Sequence, residues 1–323
     1  MPRPSILVTR RLPAPVEAVL LERYGATLSS DDRQLTREEL GAALREFDVV
    51  LCTLGDRLDA ALLERTPRRA LFLANFGVGT NHIDLAACRR IGIPVSNTPG
   101  VLTEDTADLA MLLLLAVARR AWEGDRELRA GAWTGWRPTH LLGTRVSGKT
   151  LGIIGMGRIG RAVAQRARQG FGMSVTYWSR TRLPAAEEVA LGVRWCDSRD
   201  ALLGSADFIS LHCPATEGTR HLIDGPALAA MRRSAYLMNT ARGDVVDESA
   251  LLRALDAEHL AGAALDVFDG EPAVNPALLA HAKIVTLPHL GSATVESRVA
   301  MGERVLANLA AWVAGEPLPD RVA

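Results

Sequence analysis

The stretch "GIIGMGRIG" (152–160) narrows the possible folds more than any other in this chain. Gly155, Gly157 and Gly160 form a G-x-G-x-x-G, with Met156, Arg158 and Ile159 between them. The first glycine permits a tight turn, the second lets backbone approach a pyrophosphate, and the third lets helix pack closely on strand. The helix that follows points its N-terminal N–H groups at the phosphates. An apolar strand precedes the turn, a long helical stretch follows it, and the next β-rich run arrives at the expected distance. In that setting the motif predicts a dinucleotide-binding α/β domain.

About twenty residues beyond the turn, such a domain usually carries an acid that hydrogen-bonds the ribose 2′-OH of NAD. Here "VTYWSRTR" (175–182) offers Ser179, Arg180, Thr181 and Arg182 instead. Without a carboxylate the 2′-phosphate of NADP is not repelled. Arg180 and Arg182 can pair with it, and the two hydroxyls can donate to it. The site is expected to prefer NADP(H), with NAD(H) possible. The plainer alternative is two arginines solvating a surface loop.

The rest of the chain repeats the alternation. Strand-like runs at 5–10, 48–52, 70–76 and 93–97 are separated by helical segments such as 37–47. A second series places strands at 150–155, 174–179, 207–213, 235–240, 261–267 and 283–287. Alternation of this kind implies parallel sheets covered by helices on both faces. Between the two series lie a long apolar helix, opened by Glu104 and Asp105 and closed by Arg119 and Arg120 in keeping with the helix dipole, and a polar excursion with several Trp and Gly. The final segment is helical and too short for a domain. The economical arrangement is nested: 1–102 and 288–323 form one lobe, and 103–287, with an arm at about 120–147, is inserted in it. At 323 residues the chain suffices for both.

Composition removes several classes. A formal net charge of +0 gives no general attraction to nucleic acid or to acidic membranes. Cys52, Cys88, Cys196 and Cys213 lack metal or disulfide spacing and read as reduced thiols in a cytoplasmic protein. The longest apolar run, 109–118, is too short to cross a bilayer, which needs about twenty residues, and "MPRPSILVTRRLP" lacks the apolar core of a signal peptide.

Three strand ends in the second series carry polar groups where open α/β sheets bind ligands. Arg242 follows one strand, Glu271 the next and His289 the last. Beside a nicotinamide these suggest one chemistry. Arginine clamps a carboxylate bidentately, histidine exchanges a proton with a carbonyl or hydroxyl oxygen, and glutamate orients the imidazole and favours its charged form. His82, His212 and His221 lack partners at metal spacing and are expected to be structural, and Asp84 is expected to cap a helix.

"GIIGMGRIG", "NTARGDVVDESAL", "ALDVFDGEP" and "LPHLGSAT", in that order, resemble the signatures of the D-isomer-specific 2-hydroxyacid dehydrogenases over nearly the whole chain. "YWSRTR" and "AWTGWRP" are most similar to the glyoxylate/hydroxypyruvate reductase branch. The resemblance implies two doubly wound parallel-sheet domains, a Rossmann dinucleotide-binding domain inserted in a flavodoxin-like substrate domain. It also implies a homodimer, a small 2-keto acid as substrate, and the roles given above to Arg242, Glu271 and His289. By the same resemblance, Val78 and Gly79 bind the substrate carboxylate through their amides, and Leu54 and Gly55 form a pocket wall. Thr106, Cys213, Pro214, Thr240, Ala241, Asp266 and Gly291 would line the cofactor. Trp136 would close the partner subunit's substrate pocket, unless it and Trp133 simply pack the arm onto its own domain. The alternatives are a broader 2-ketoacid reductase, a phosphoglycerate, formate or phosphite dehydrogenase, and a nicotinamide-sensing corepressor-like binding protein.

Overall fold

A computed structural model describes residues 3–65 and 68–323. They fall into two compact units, one running to Leu102 and resuming over Ala293–Ala323, the other Thr103–Ser292.

The first unit holds four parallel strands, β1 (Ile6–Val8), β2 (Val49–Thr53), β3 (Phe72–Phe76) and β4 (Val95–Ser96), in spatial order β1-β2-β3-β4. Thr27 pairs with the free edge of β1: its N–H donates to the Ile6 carbonyl at 2.8 Å and its carbonyl accepts from Val8 at 2.9 Å. Counting that segment as the second strand gives the flavodoxin-like order, with the first strand inside the sheet. Both faces of the sheet are covered. Val49 and Leu51 point to one core with helix Val295–Ala314, while Val50 and Cys52 point to the other with helix Arg37–Glu46. Burial on both faces is why these strands read as apolar runs and not as alternating ones.

The second unit is a seven-stranded parallel sheet: β5 (Thr150–Ile154), β6 (Ser174–Trp178), β7 (Val193–Trp195), β8 (Phe208–Leu211), β9 (Tyr236–Asn239), β10 (Gly262–Leu265) and β11 (Ile284–Thr286). Its order is β11-β10-β9-β8-β5-β6-β7. The chain winds outward from β5 to β7, then restarts at β8 on the other side. That reversal between β5 and β8 is where such sheets bind dinucleotides. Helices Thr103–Ala118 and Arg158–Phe171 cover one face over Leu151, Ile153 and Val175. Arg166 ties these two helices together through Asp108 at 2.6 Å and Glu104 at 2.8 Å. Leu113 and Leu114 are wholly buried, each contributing about 1.5–3 kcal/mol of apolar burial.

Two details differ from the sequence-based expectation. The sheet has a seventh strand, β7, which escapes prediction because it is a three-residue edge strand with an exposed Arg194 at its centre. The chain leaves the second unit after Ser292, not at 288, because Leu290 and Gly291 donate to the Asp266 carboxylate at 2.7 and 2.9 Å and so stay with β10. No described helix is long and apolar enough to cross a membrane.

Candidate functional site

The glycine turn sits at the switch point. Gly155 has φ +97°, and a Cβ there would lie 2.6 Å from the Cys213 backbone nitrogen, so β5 and β8 converge too closely for a side chain. A Cβ on Gly160 would collide with the Gly155 carbonyl. Gly157 differs: nothing lies within 4 Å of where its Cβ would stand. It faces open space and opens helix Arg158–Phe171, whose first N–H groups and dipole favour a phosphate there. Met156 packs into the core, Ile159 against it, and Arg158 is exposed. These residues fit a nicotinamide dinucleotide. His212 and Cys213-Pro214 follow β8 directly. Burial lowers the His212 pKa to about 4 and raises that of the Cys213 thiol to about 11, so both are neutral. His212 hydrogen-bonds Ser210 at 2.8 Å, in keeping with a structural role.

After β6 the arginines part company. Arg182 is held by Glu188, with Nε and Nη2 each 2.9 Å from a carboxylate oxygen. The Ser179 hydroxyl donates to the Thr181 carbonyl at 2.7 Å. Thr181 and Arg180 are exposed, and among the described residues Arg180 has no charged partner. Of the two arginines expected at a 2′-phosphate, Arg182 is thus engaged by Glu188 and Arg180 is not.

Three strand ends bring Arg242, Glu271 and His289 into one unit. The turn after β9 is shaped by Asn239, wholly buried, whose amide nitrogen donates to the Arg242 carbonyl at 2.8 Å while its oxygen accepts from Ala241 N–H at 3.0 Å. Thr240 and Ala241 are thereby fixed ahead of Arg242. A Cβ on Gly243 would collide with the backbone of Phe268 and Asp269, so the Arg242 and Glu271 loops touch. The Arg242 guanidinium donates to the Ala241 carbonyl at 2.6 Å. Burial lowers its pKa, opposed by the charges of Glu271 and Asp244. No described carboxylate pairs with it.

Glu271 accepts from Phe268 N–H at 2.8 Å and from His289 Nδ1 at 2.7 Å. Burial pushes its carboxyl up, but the hydrogen bond and charge of His289 outweigh this and hold it below the usual range. The carboxylate is thus ionised, Nδ1 carries a proton, and Nε2 is the nitrogen left for chemistry. His289 itself adopts φ +55°, uncommon for a side-chain-bearing residue, and its N–H donates to the Asp266 carbonyl at 2.9 Å. Asp266, expected to line the cofactor, is buried with its two oxygens accepting from the Leu290 and Gly291 N–H groups, and burial raises it to about 6. Thr106 reaches the same segment, donating to the Gly291 carbonyl at 2.8 Å.

The first unit builds a loop after β3 whose carbonyls are held by two asparagines. Asn75, wholly buried, donates to the carbonyls of Gly77 and Gly79 at 3.0 and 2.9 Å, and Asn97 donates to that of Val78 at 2.9 Å. With its carbonyls tied down, the loop is left with the Val78 and Gly79 N–H groups to offer. Leu54 and Gly55 form the turn after β2, and the Leu54 side chain lies 2.9 Å from where a Gly77 Cβ would stand. Asn75, Asn97 and Asn239 were missed from sequence: Asn97 catches a carbonyl nineteen residues back, and the local turns of Asn75 and Asn239 look like any other Asn in a loop. Asp84 caps helix Leu85–Ile91, accepting from Ala87 N–H at 2.8 Å, as expected.

The arm contains helix Ala121–Arg129 and then irregular chain. Trp136 is 81% exposed and Trp133 51%, so neither packs firmly onto its own unit. No described group of His, Cys, Asp and Glu could hold a metal ion.

A family model described as the NAD binding domain of D-isomer specific 2-hydroxyacid dehydrogenase matches residues 111–291. The glyoxylate reductase of Thermococcus litoralis is 44% identical over 99% of this chain and 97% of its own. This chain belongs to the D-isomer specific 2-hydroxyacid dehydrogenase family. Two solved structures match this dehydrogenase throughout. A glyoxylate reductase from Paecilomyes thermophila is 34% identical, with a TM-score of 0.86, over 100% of this chain and 99% of that one. An NADPH-dependent glyoxylate/hydroxypyruvate reductase from Sinorhizobium meliloti, solved with NADP and malonate, is also 34% identical with a TM-score of 0.86, over 99% and 97%. The dehydrogenase is an oxidoreductase whose second unit binds a nicotinamide dinucleotide.

Proposed function

We propose that this dehydrogenase reduces a small 2-keto acid of the glyoxylate or hydroxypyruvate type to the D-2-hydroxy acid, with NADPH preferred over NADH. The observation that carries this reading is the 2.7 Å Glu271–His289 pair on the strand end beside the loop of Arg242, a desolvated arginine without a carboxylate partner. The bound cofactor supplies hydride to the carbonyl carbon. Arg242 clamps the substrate carboxylate, and His289 Nε2 gives its proton to the carbonyl oxygen. The imidazolium becomes neutral in that step, and Glu271 holds Nδ1–H throughout, fixing ring and tautomer. Carboxylate-binding capacity in the first unit lies in the Val78 and Gly79 amides, with Leu54 and Gly55 as an apolar wall. Relatives named glyoxylate reductase support the substrate class, and the neighbour solved with NADP supports the cofactor.

We also propose a homodimer formed through the arm, with Trp136 reaching the partner's substrate pocket. Exposed Trp122, Leu128, Trp133, Trp136 and Leu142 give that segment an apolar surface its own unit does not cover.

The test is a steady-state panel of glyoxylate, hydroxypyruvate and pyruvate against both reduced cofactors. Glyoxylate or hydroxypyruvate with NADPH is expected to give the highest kcat/KM. Failure of all three with either cofactor refutes the reading and leaves a binding role.

A further inference from the structure

The chain between β6 and helix Ala185–Leu191 is tied to the helix and to β6 at its far end. The Tyr177 hydroxyl, at the end of β6 and wholly buried, accepts from Leu183 N–H at 2.9 Å and donates to Glu188 at 2.6 Å. Glu188, on the helix and 8% exposed, holds Arg182 at 2.9 Å through both oxygens. Three residues therefore close a bend on residues 182 and 183. At its tip stands Arg180, exposed and without a described hydrogen bond or ion pair.

We propose that Tyr177 and Glu188 are positioning residues for cofactor choice: they clamp the chain beyond the bend so that Arg180, and not Arg182, meets the 2′-phosphate of NADP(H). The proposal rests on the NADP(H) reading above and deepens it.

Three arguments support it. First, the clamp consumes the charge of Arg182. With Nε and Nη2 on Glu188, Arg182 has spent the edge that would grip a phosphate bidentately, leaving Nη1 outside the pair. Second, it pairs off Glu188, the acid that Arg182 contacts directly. Glu188 is held ionised near a pKa of about 2 by Arg182 first and Tyr177 second, yet its two oxygens face those partners. A free carboxylate there would repel a 2′-phosphate; a paired one does not. Third, Tyr177 is a fixed post. Its ring is buried and meets Trp195 edge-on at 5.2 Å between centroids, and its hydroxyl stays protonated, raised to about 12 by burial and by Glu188. Anchoring Leu183 to such a post removes backbone freedom that a phosphate-binding bend would otherwise lose on binding.

The decisive substitution is Tyr177→Phe, because it changes no charge. Dissociation constants of NADP+ and NAD+ are measured by isothermal titration calorimetry, so that turnover is not involved. Tyr177→Phe is expected to weaken NADP+ about three- to tenfold and to change NAD+ less than about twofold, since NAD+ offers no 2′-phosphate to the bend. Glu188→Ala is expected to do the same, and Arg180→Ala to erase most of the NADP+ preference. Thermal denaturation confirms that each variant folds. If instead Arg182 grips the phosphate, Tyr177→Phe leaves NADP+ binding unchanged and Glu188→Ala tightens it; either result overturns the proposal. Equal weakening of both cofactors also overturns it, as mere structural damage. A wild-type protein without NADP+ preference refutes the cofactor reading itself, and the clamp's role with it. Preference retained through both clamp variants refutes the clamp alone.

Discussion

A half-buried guanidinium left without a carboxylate is costly unless an anion completes it, and Arg242 is in that position. Its planar fork suits a substrate carboxylate in a way that an ammonium cannot match. Arg242→Lys is therefore expected to lower kcat/KM for glyoxylate by about tenfold to over a hundredfold, the range for a charge-assisted hydrogen bond; steady-state kinetics at saturating NADPH checks it. Glu271 sits beside it with an ionised carboxylate. His289 helps hold the Glu271 pKa below its usual value, and the resulting negative charge lies 2.7 Å from His289 Nδ1. Reduction needs the imidazolium, so the alkaline limit of kcat/KM is set by its loss. Glu271→Gln removes the stabilising charge, and that limit is expected to move to lower pH; an unmoved profile removes Glu271 from this role. The sequence singles out these three residues because each is a polar group shortly after the end of an apolar strand. The task of Asp266 was not legible there. Nothing in "ALDVFDGEP" announces that its carboxylate will catch two N–H groups from a segment more than twenty residues on.

The glycine turn makes its prediction at the scale of the element. Gly157 faces open space and Gly160 faces backbone, so the same substitution has different outcomes. Gly157→Ala is expected to leave the Tm of the free protein nearly unchanged and to abolish most of the Tm rise given by NADP+, since the new methyl occupies the pyrophosphate's approach. Gly160→Ala is expected to lower the Tm of the free protein, with an overpacking cost of about 1–3 kcal/mol. Differential scanning fluorimetry with and without NADP+ separates the two. The long strands and the principal helices were readable because two-sided burial makes the strands apolar runs, and because caps such as Asp84 mark helix starts. Edge elements were not. The Thr27 segment and β7 each have one open side, so their composition carries little signal, and only pairing defines them.

At the scale of the whole molecule, the two-unit division was visible as two series of alternating elements. The fate of the arm was not, because an exposed tryptophan and a buried one read alike. Trp136→Ala is expected to raise relative activity on larger 2-keto acids and to leave the NADPH KM nearly unchanged, if Trp136 closes the partner's pocket; sedimentation velocity of the wild type is expected to show a dimer. A monomer that discriminates substrates equally well contradicts the arm's role. The central claim is reduction of glyoxylate with a proton from His289, and the most direct measurement is kcat for glyoxylate and NADPH in the wild type and in His289→Ala. The account predicts a fall of about 10²–10⁴ for loss of a general acid, with NADP+ binding retained. Turnover in the variant at the wild-type rate, or none in a folded wild type that binds NADP+, contradicts it.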